Sequence, residues 1–271
     1  MVRLIRRLTK GNFMKKRRRF RKVFRSKAVV QKPETSVEEE RVPSGIEGLD
    51  ELIDGGFERN SVILVCGDAG SGKTTLTLQF LYNGATQYGE PGIFITFEEG
   101  KESIYKHALQ YGWDLKALED KGLFAFVEYK PQQIAEIIRG GSSTVKDTID
   151  SIGAKRIGID SLTSYSMLFK TAYEGREAVL ALFNRLRDWE CTSMIASEII
   201  LQFGSRRGEA GVEFLSDAVL LLYYARQQDM KVRALEILKM RGTRHSDKIC
   251  PFKFGEKGIV VFPKDSVFGR L

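Results

Sequence analysis

The chain has 271 residues, 42% of them hydrophobic, enough to bury the core of one large α/β domain and to exclude disorder throughout. No apolar run approaches the roughly 18–20 residues that span a bilayer, which excludes an integral helical membrane protein. The net charge of +8 is unevenly placed: residues 1–32 hold fourteen Lys and Arg and no Asp or Glu, leaving 29 basic against 35 acidic residues beyond them.

Like charge as dense as "KKRRRFRKVFRSK" (15–27) cannot collapse on itself, so the segment reads as a tail that is disordered when free. An acidic, proline-containing linker, "KPETSVEEE" (32–40), follows. The shift divides a basic tail and linker, 1–40, from a folded domain, 41–271. The tail has three readings. It contacts nucleic-acid phosphates, or an anionic membrane through Phe20, Val23 and Phe24 at helical spacing, or it means little, with Met14 as an alternative start and a loose tail that only adds solubility. It lacks the apolar stretch of a signal peptide. Cys66, Cys191 and Cys250 are odd in number and lack metal-ligand spacing, which points to reduced thiols in a cytoplasmic protein.

The β-branched run "SVILVC" (61–66) predicts a buried strand, "GDAGSGKTT" (67–75) a glycine loop, and "LTLQFLYNGATQYG" a helix with Leu76 and Phe80 on one face. Strand, loop and helix are the context that G-x-x-x-x-G-K-[ST] requires. Gly67, Gly70 and Gly72 let the backbone curl, so that amides contributed along Gly67, Asp68, Ala69, Gly70, Ser71 and Gly72 converge on phosphate oxygens at the positive end of the helix. Lys73 adds a mobile cation, Thr74 a hydroxyl for Mg²⁺, and Thr75 completes the cradle.

Downstream, "GIFITF" (92–97) predicts a second strand that ends in Glu98 and Glu99. At the carboxyl edge of a parallel sheet such carboxylates face the nucleotide, and Glu98 is the candidate base for the attacking water. "KESIYKHALQYGWD" predicts a helix on which His107 is a surface or interface residue; Trp113 and Trp189 read as core anchors at helix ends. "RIGID" (156–160) ends in Asp160, a second Mg²⁺ candidate beside Ser161. "REAVLALFNRLRDWE" predicts an amphipathic helix, and "TSMIASE" (192–198) a strand that leaves Ser197 and Glu198 as sensors of the terminal phosphate. The loop "LQFGSRRGEAG" (201–211) either faces a ring pore and touches nucleic acid or is simply mobile. Late strands "AVLLLYYAR", "VRALEILKM" and "GIVVFP" predict an antiparallel extension. If "LEILKMRGTRH" (235–245) is extended, alternation puts Lys239 and Arg241 on one side.

Together "VPSGIEGLDELIDGGFERNSVILVCGDAGSGKTT", "FITFEEG", "RIGIDSLTS" and "GVEFLSDAVLLLYY…LEILKMRGTRHSDKICPFKFGEKGIVVFP" resemble the KaiC-like branch of the RecA-fold ATPases over residues 42–263. The resemblance implies a mostly parallel sheet with helices on both faces and Mg²⁺-dependent ATP hydrolysis. It also implies a ring-shaped homo-oligomer, a hexamer, whose nucleotide state controls docking of a protein partner. It makes Glu98 and Glu99 the paired catalytic carboxylates and sends Lys239 and Arg241 to the terminal phosphate of a neighbour's ATP, with His245 nearby. The chain carries one such domain, so a circadian role is not carried over. Glu213 and Phe214 stand where self-phosphorylating relatives carry Ser and Thr, which argues against autokinase activity there. Two rival readings are a nucleic-acid-dependent ATPase of recombinase or helicase type and a binding module with little turnover.

Overall fold

A computed structural model describes residues 41–129, 133, 144–198, 213–227 and 230–265, all within the compact unit Glu39–Leu271. The basic tail and the 201–211 loop lie outside the described residues.

Two short strands, β1 (Arg41–Val42) and β2 (Phe57–Glu58), form a small antiparallel pair. The main sheet holds β3 (Val62–Gly67), β4 (Gly92–Thr96), β5 (Phe124–Glu128), β6 (Arg156–Asp160), β7 (Thr192–Ser197), β8 (Ala218–Gln227), β9 (Met230–Met240), β10 (Ile249–Gly255) and β11 (Gly258–Val261). Its order is β11-β10-β9-β8-β3-β7-β6-β4-β5. From β5 to β8 all neighbours are parallel; from β8 to β11 all are antiparallel.

Helices cover both faces of the sheet. Along β3, Ile63 and Val65 pack in one core with α1 (Lys73–Gln87), α2 (Lys101–Leu109) and α3 (Leu115–Asp120). Val62, Leu64 and Cys66 pack in the other with α4 (Thr144–Ile152), α5 (Leu162–Ser166) and α6 (Ala172–Asp188). This alternation is the period-two geometry of a strand, here apolar on both sides because both faces are covered. Each fully buried Leu, Ile or Phe contributes about 1.5–3 kcal/mol. At Gly158 of β6 a Cβ would lie 2.7 Å from Thr77, so the glycine lets α1 settle against the strand.

The strands expected over 61–66, 92–97, 156–160 and 192–198 are present as β3, β4, β6 and β7, and the mixed α/β architecture is the expected one. Three differences are physical. The first helix starts at Lys73, inside the glycine motif, because the loop's last turn is already helical. The helix over 101–114 stops at Leu109, and α3 starts afresh after Asp114, whose side chain accepts the Ala117 amide at 2.9 Å. The extension is wider than three strands: β8 belongs to the parallel sheet on one side, and β10, with Pro251 inside it, intervenes before β11.

Candidate functional site

The glycine loop leaves β3 at Gly67 and enters α1 at Lys73, so it lies at the carboxyl edge of the parallel strands. Gly70 and Gly72 take φ values of +77° and +109°, which favour glycine. Packing adds a second reason for glycine. A Cβ on Gly67 would fall 2.5 Å from the Leu222 carbonyl oxygen of β8, and one on Gly72 would fall 2.9 Å from the Phe254 ring of β10. The late strands thus form the floor of the loop. Lys73 is buried, and its Nζ donates to the carbonyl oxygens of Gly67 at 2.9 Å and Asp68 at 3.1 Å. Asp68, Ala69 and Gly70 are exposed, Ser71 is buried, and Thr74 and Thr75 are half-buried.

Thr74 Oγ1 donates to Asp160 Oδ2 at 2.5 Å, which joins the first turn of α1 to the end of β6. Burial pushes the Asp160 carboxyl above its ordinary value; the Thr74 hydrogen bond and Lys73 pull it down, while Glu98 and Glu99 raise it. One hydroxyl and one carboxylate are hard oxygen donors, the chemistry Mg²⁺ takes while keeping waters and phosphate as its remaining ligands. Ser161 is buried, with its hydroxyl 3.3 Å from that of Ser164. Ser197 ends β7 in register with Cys66, beside the loop's own strand, and the Glu198 amide donates to Thr163 Oγ1 at 2.8 Å. Cys66 is buried, and burial pushes its thiol far up, so it is no nucleophile.

Glu98 and Glu99 diverge. Glu98 is exposed and accepts a hydrogen bond from Ser164 of α5. Glu99 turns to α2, where its Oε1 accepts from Ser103 at 2.6 Å and lies 3.0 Å from His107 Nδ1. The surface reading of His107 holds for its exposure but missed this carboxylate. A cavity of about 200 Å³ opens beside Thr74 and Thr75, lined further by Glu99, His107, Tyr111 and Trp113. Tyr111 was not singled out in the sequence. Trp113 is 3% exposed, a core anchor that also forms a cavity wall.

Lys239 and Arg241 do act together, but on their own chain's turn before β8. Lys239 Nζ donates to the carbonyl oxygens of Ser216 at 2.6 Å and Glu213 at 3.1 Å; Arg241 Nη2 donates to that of Phe214 at 2.7 Å. Burial and the neighbouring Arg241 lower the Lys239 ammonium's pKa, against Asp217 and Glu213. Register puts the pair at the amino-terminal end of the sheet: Arg241 bonds the backbone of Asp217, which bonds Val62, the first residue of β3. Gly67 lies at that strand's other end, roughly 17 Å away at about 3.3 Å per residue. His245 Nδ1 lies 3.3 Å from the Thr243 carbonyl oxygen, within the same late loop. Glu213 and the exposed Phe214 carry no hydroxyl.

A KaiC ATPase family model matches residues 42–266. The chain belongs to the KaiC family. It is 34% identical over 229 residues to a circadian clock oscillator protein KaiC of Prochlorococcus marinus, with 82% of this chain and 45% of the relative covered. A second KaiC, from Thermostichus vulcanus, is 34% identical over 236 residues, covering 85% and 45%. The chain therefore spans about half the length of these curated relatives. The crystal structure of a KaiC-like protein from Pyrococcus horikoshii superposes with a TM-score of 0.73 at 36% identity, covering 83% of this chain and 99% of that one. The chain carries a KaiC-family ATPase domain of the RecA type.

Proposed function

We propose that this chain hydrolyses ATP with Mg²⁺ at a site shared between copies of itself, in a hexameric ring whose nucleotide state governs docking of a protein partner. The amides from Gly67 to Gly72 and the Lys73 ammonium hold the phosphates, and Thr75 and the cavity beside Tyr111 take the nucleoside side. Thr74 and Asp160 hold the metal, with Ser161 beside them. Mg²⁺ held there would supply neutralisation of phosphate charge. Glu98 accepts the proton of the attacking water, while Glu99 is held by Ser103 and His107 and fixes the wall next to it.

One observation carries the shared site: Lys239 and Arg241 lie at the strand ends opposite the glycine loop. No cation on β9's far end reaches its own chain's phosphates across that span, so it serves an anion on another copy, with His245 at the rim. A cation delivered across an interface stabilises the transition state only after assembly. ATP hydrolysis per subunit, measured across a dilution series with sizing of the same samples, tests the reading. The rate is expected to rise with assembly. A rate per subunit that is independent of concentration in a strictly monomeric sample counts against it.

A further inference from the structure

Asp217 lies where β3, α6 and the late strands meet. Its amide donates to the Val62 carbonyl oxygen at 2.9 Å, and its Oδ2 accepts the Val62 amide at 2.9 Å, which fixes it against the start of β3. The same Oδ2 accepts from Arg187 of α6, at 2.9 Å from Nη2 and 3.2 Å from Nε. Only Oδ1 is left for Arg241, at 3.4 Å. One carboxylate therefore faces two guanidiniums unequally. Arg187 takes the close, less exposed place and is held there by the Leu215 carbonyl oxygen at 3.1 Å and Asn184 Oδ1 at 3.2 Å. The Arg241 side chain is 53% exposed, against 30% for Arg187 and 17% for Asp217.

A largely buried carboxylate strongly retains its last cation, because leaving it unpaired costs its desolvation. Were Arg241 the sole partner of Asp217, each excursion towards a neighbour's phosphate would strand that charge. With Arg187 present the carboxylate stays neutralised whichever way Arg241 points. We propose that Arg187 is a positioning residue: by satisfying Asp217 it leaves Arg241 free to reach an anion on an adjoining copy. The inference rests on the shared-site reading above, and nothing in the glycine loop takes part in it.

The test measures kcat and ATP Kd on the full chain for Arg187→Met, Arg187→Met with Asp217→Asn, Arg187→Lys and Arg241→Ala. Arg187→Met is expected to lower kcat about fivefold by strengthening the Arg241–Asp217 pair, with ATP Kd unchanged. Adding Asp217→Asn removes the charge that traps Arg241 and restores most of the rate, and Arg187→Lys, which keeps the charge, rescues it too. Loss through damaged packing would instead deepen in the double variant. If Arg241→Ala leaves kcat unchanged, the shared-site reading and this inference fall together. If Arg241→Ala lowers kcat but Asp217→Asn gives no relief, or Arg187→Lys is as slow as Arg187→Met, this inference alone is overturned.

Discussion

Thr74 and Asp160 are joined by a 2.5 Å hydrogen bond between two elements 86 residues apart in sequence. The hydroxyl donates to the carboxylate, and both are hard oxygen donors of the kind that would hold Mg²⁺. Asp160→Asn is expected to abolish hydrolysis and the Mg²⁺ dependence of nucleotide affinity while the fold survives. Titration calorimetry with ATP, with and without Mg²⁺, checks it.

The same carboxyl gives a pH dependence with a definite sign. Its pKa is raised above the ordinary 3.8 by burial, so between the two values the folded chain binds more protons than the unfolded one. Stability from this group is present at low pH and is lost as pH rises through the raised value. Mg²⁺ affinity runs the other way, because the metal needs the ionised form. Melting temperatures of the metal-free chain and of Asp160→Asn, compared across acid pH, are expected to converge as pH falls and to separate as pH rises, with the native chain losing stability relative to the variant.

Gly72→Ala is expected to weaken ATP binding at least tenfold, since a Cβ meets the Phe254 ring at 2.9 Å at a residue with φ of +109°. Adding Phe254→Leu removes the clash and leaves the backbone strain, so recovery should be partial. Binding titrations on the two variants check it.

Glu98→Gln is expected to reduce kcat by about 10²-fold with ATP Kd unchanged, as for loss of a general base. Glu99→Gln should cost less in kcat and should lower stability, since its carboxylate joins Ser103 and His107 of α2 to the end of β4. Single-turnover hydrolysis and thermal melts separate the two.

Arg156 tests the fold apart from the site. It is fully buried at the start of β6, bonded to Glu90 at 2.7 Å and to the carbonyl oxygens of Phe80 and Pro43 at 2.9 Å each, with its guanidinium 4.4 Å from the Phe80 ring centre. Arg156→Leu leaves Glu90 and two carbonyls without this partner and is expected to cost about 3–5 kcal/mol in chemical denaturation, with kcat of the remaining folded protein unchanged.

The glycine loop, the strand ending at Asp160 and the strand leading towards Glu98 were legible because local chemistry sets them: glycines before Gly-Lys-Thr, and an apolar run before a carboxylate. β10 was not, because Pro251 and Lys253 break its alternation and its pairing partners lie on β9 and β11. β5 was missed as a short edge strand, Phe124–Glu128, buried only at its first residue. The Glu99–His107 contact depends on how α2 folds back after the loop at Gly100, which no spacing rule states. Alternation correctly put Lys239 and Arg241 on one side, yet it could not show that the turn at 213–216 receives both.

The shared site is tested most directly by mixing two inactive chains, Lys73→Ala, which cannot hold ATP, and Arg241→Ala, which cannot serve a neighbour. In a mixed ring some interfaces pair an intact glycine loop with an intact Arg241, so hydrolysis is expected to return on mixing. A mixture as inactive as its two components would contradict the account.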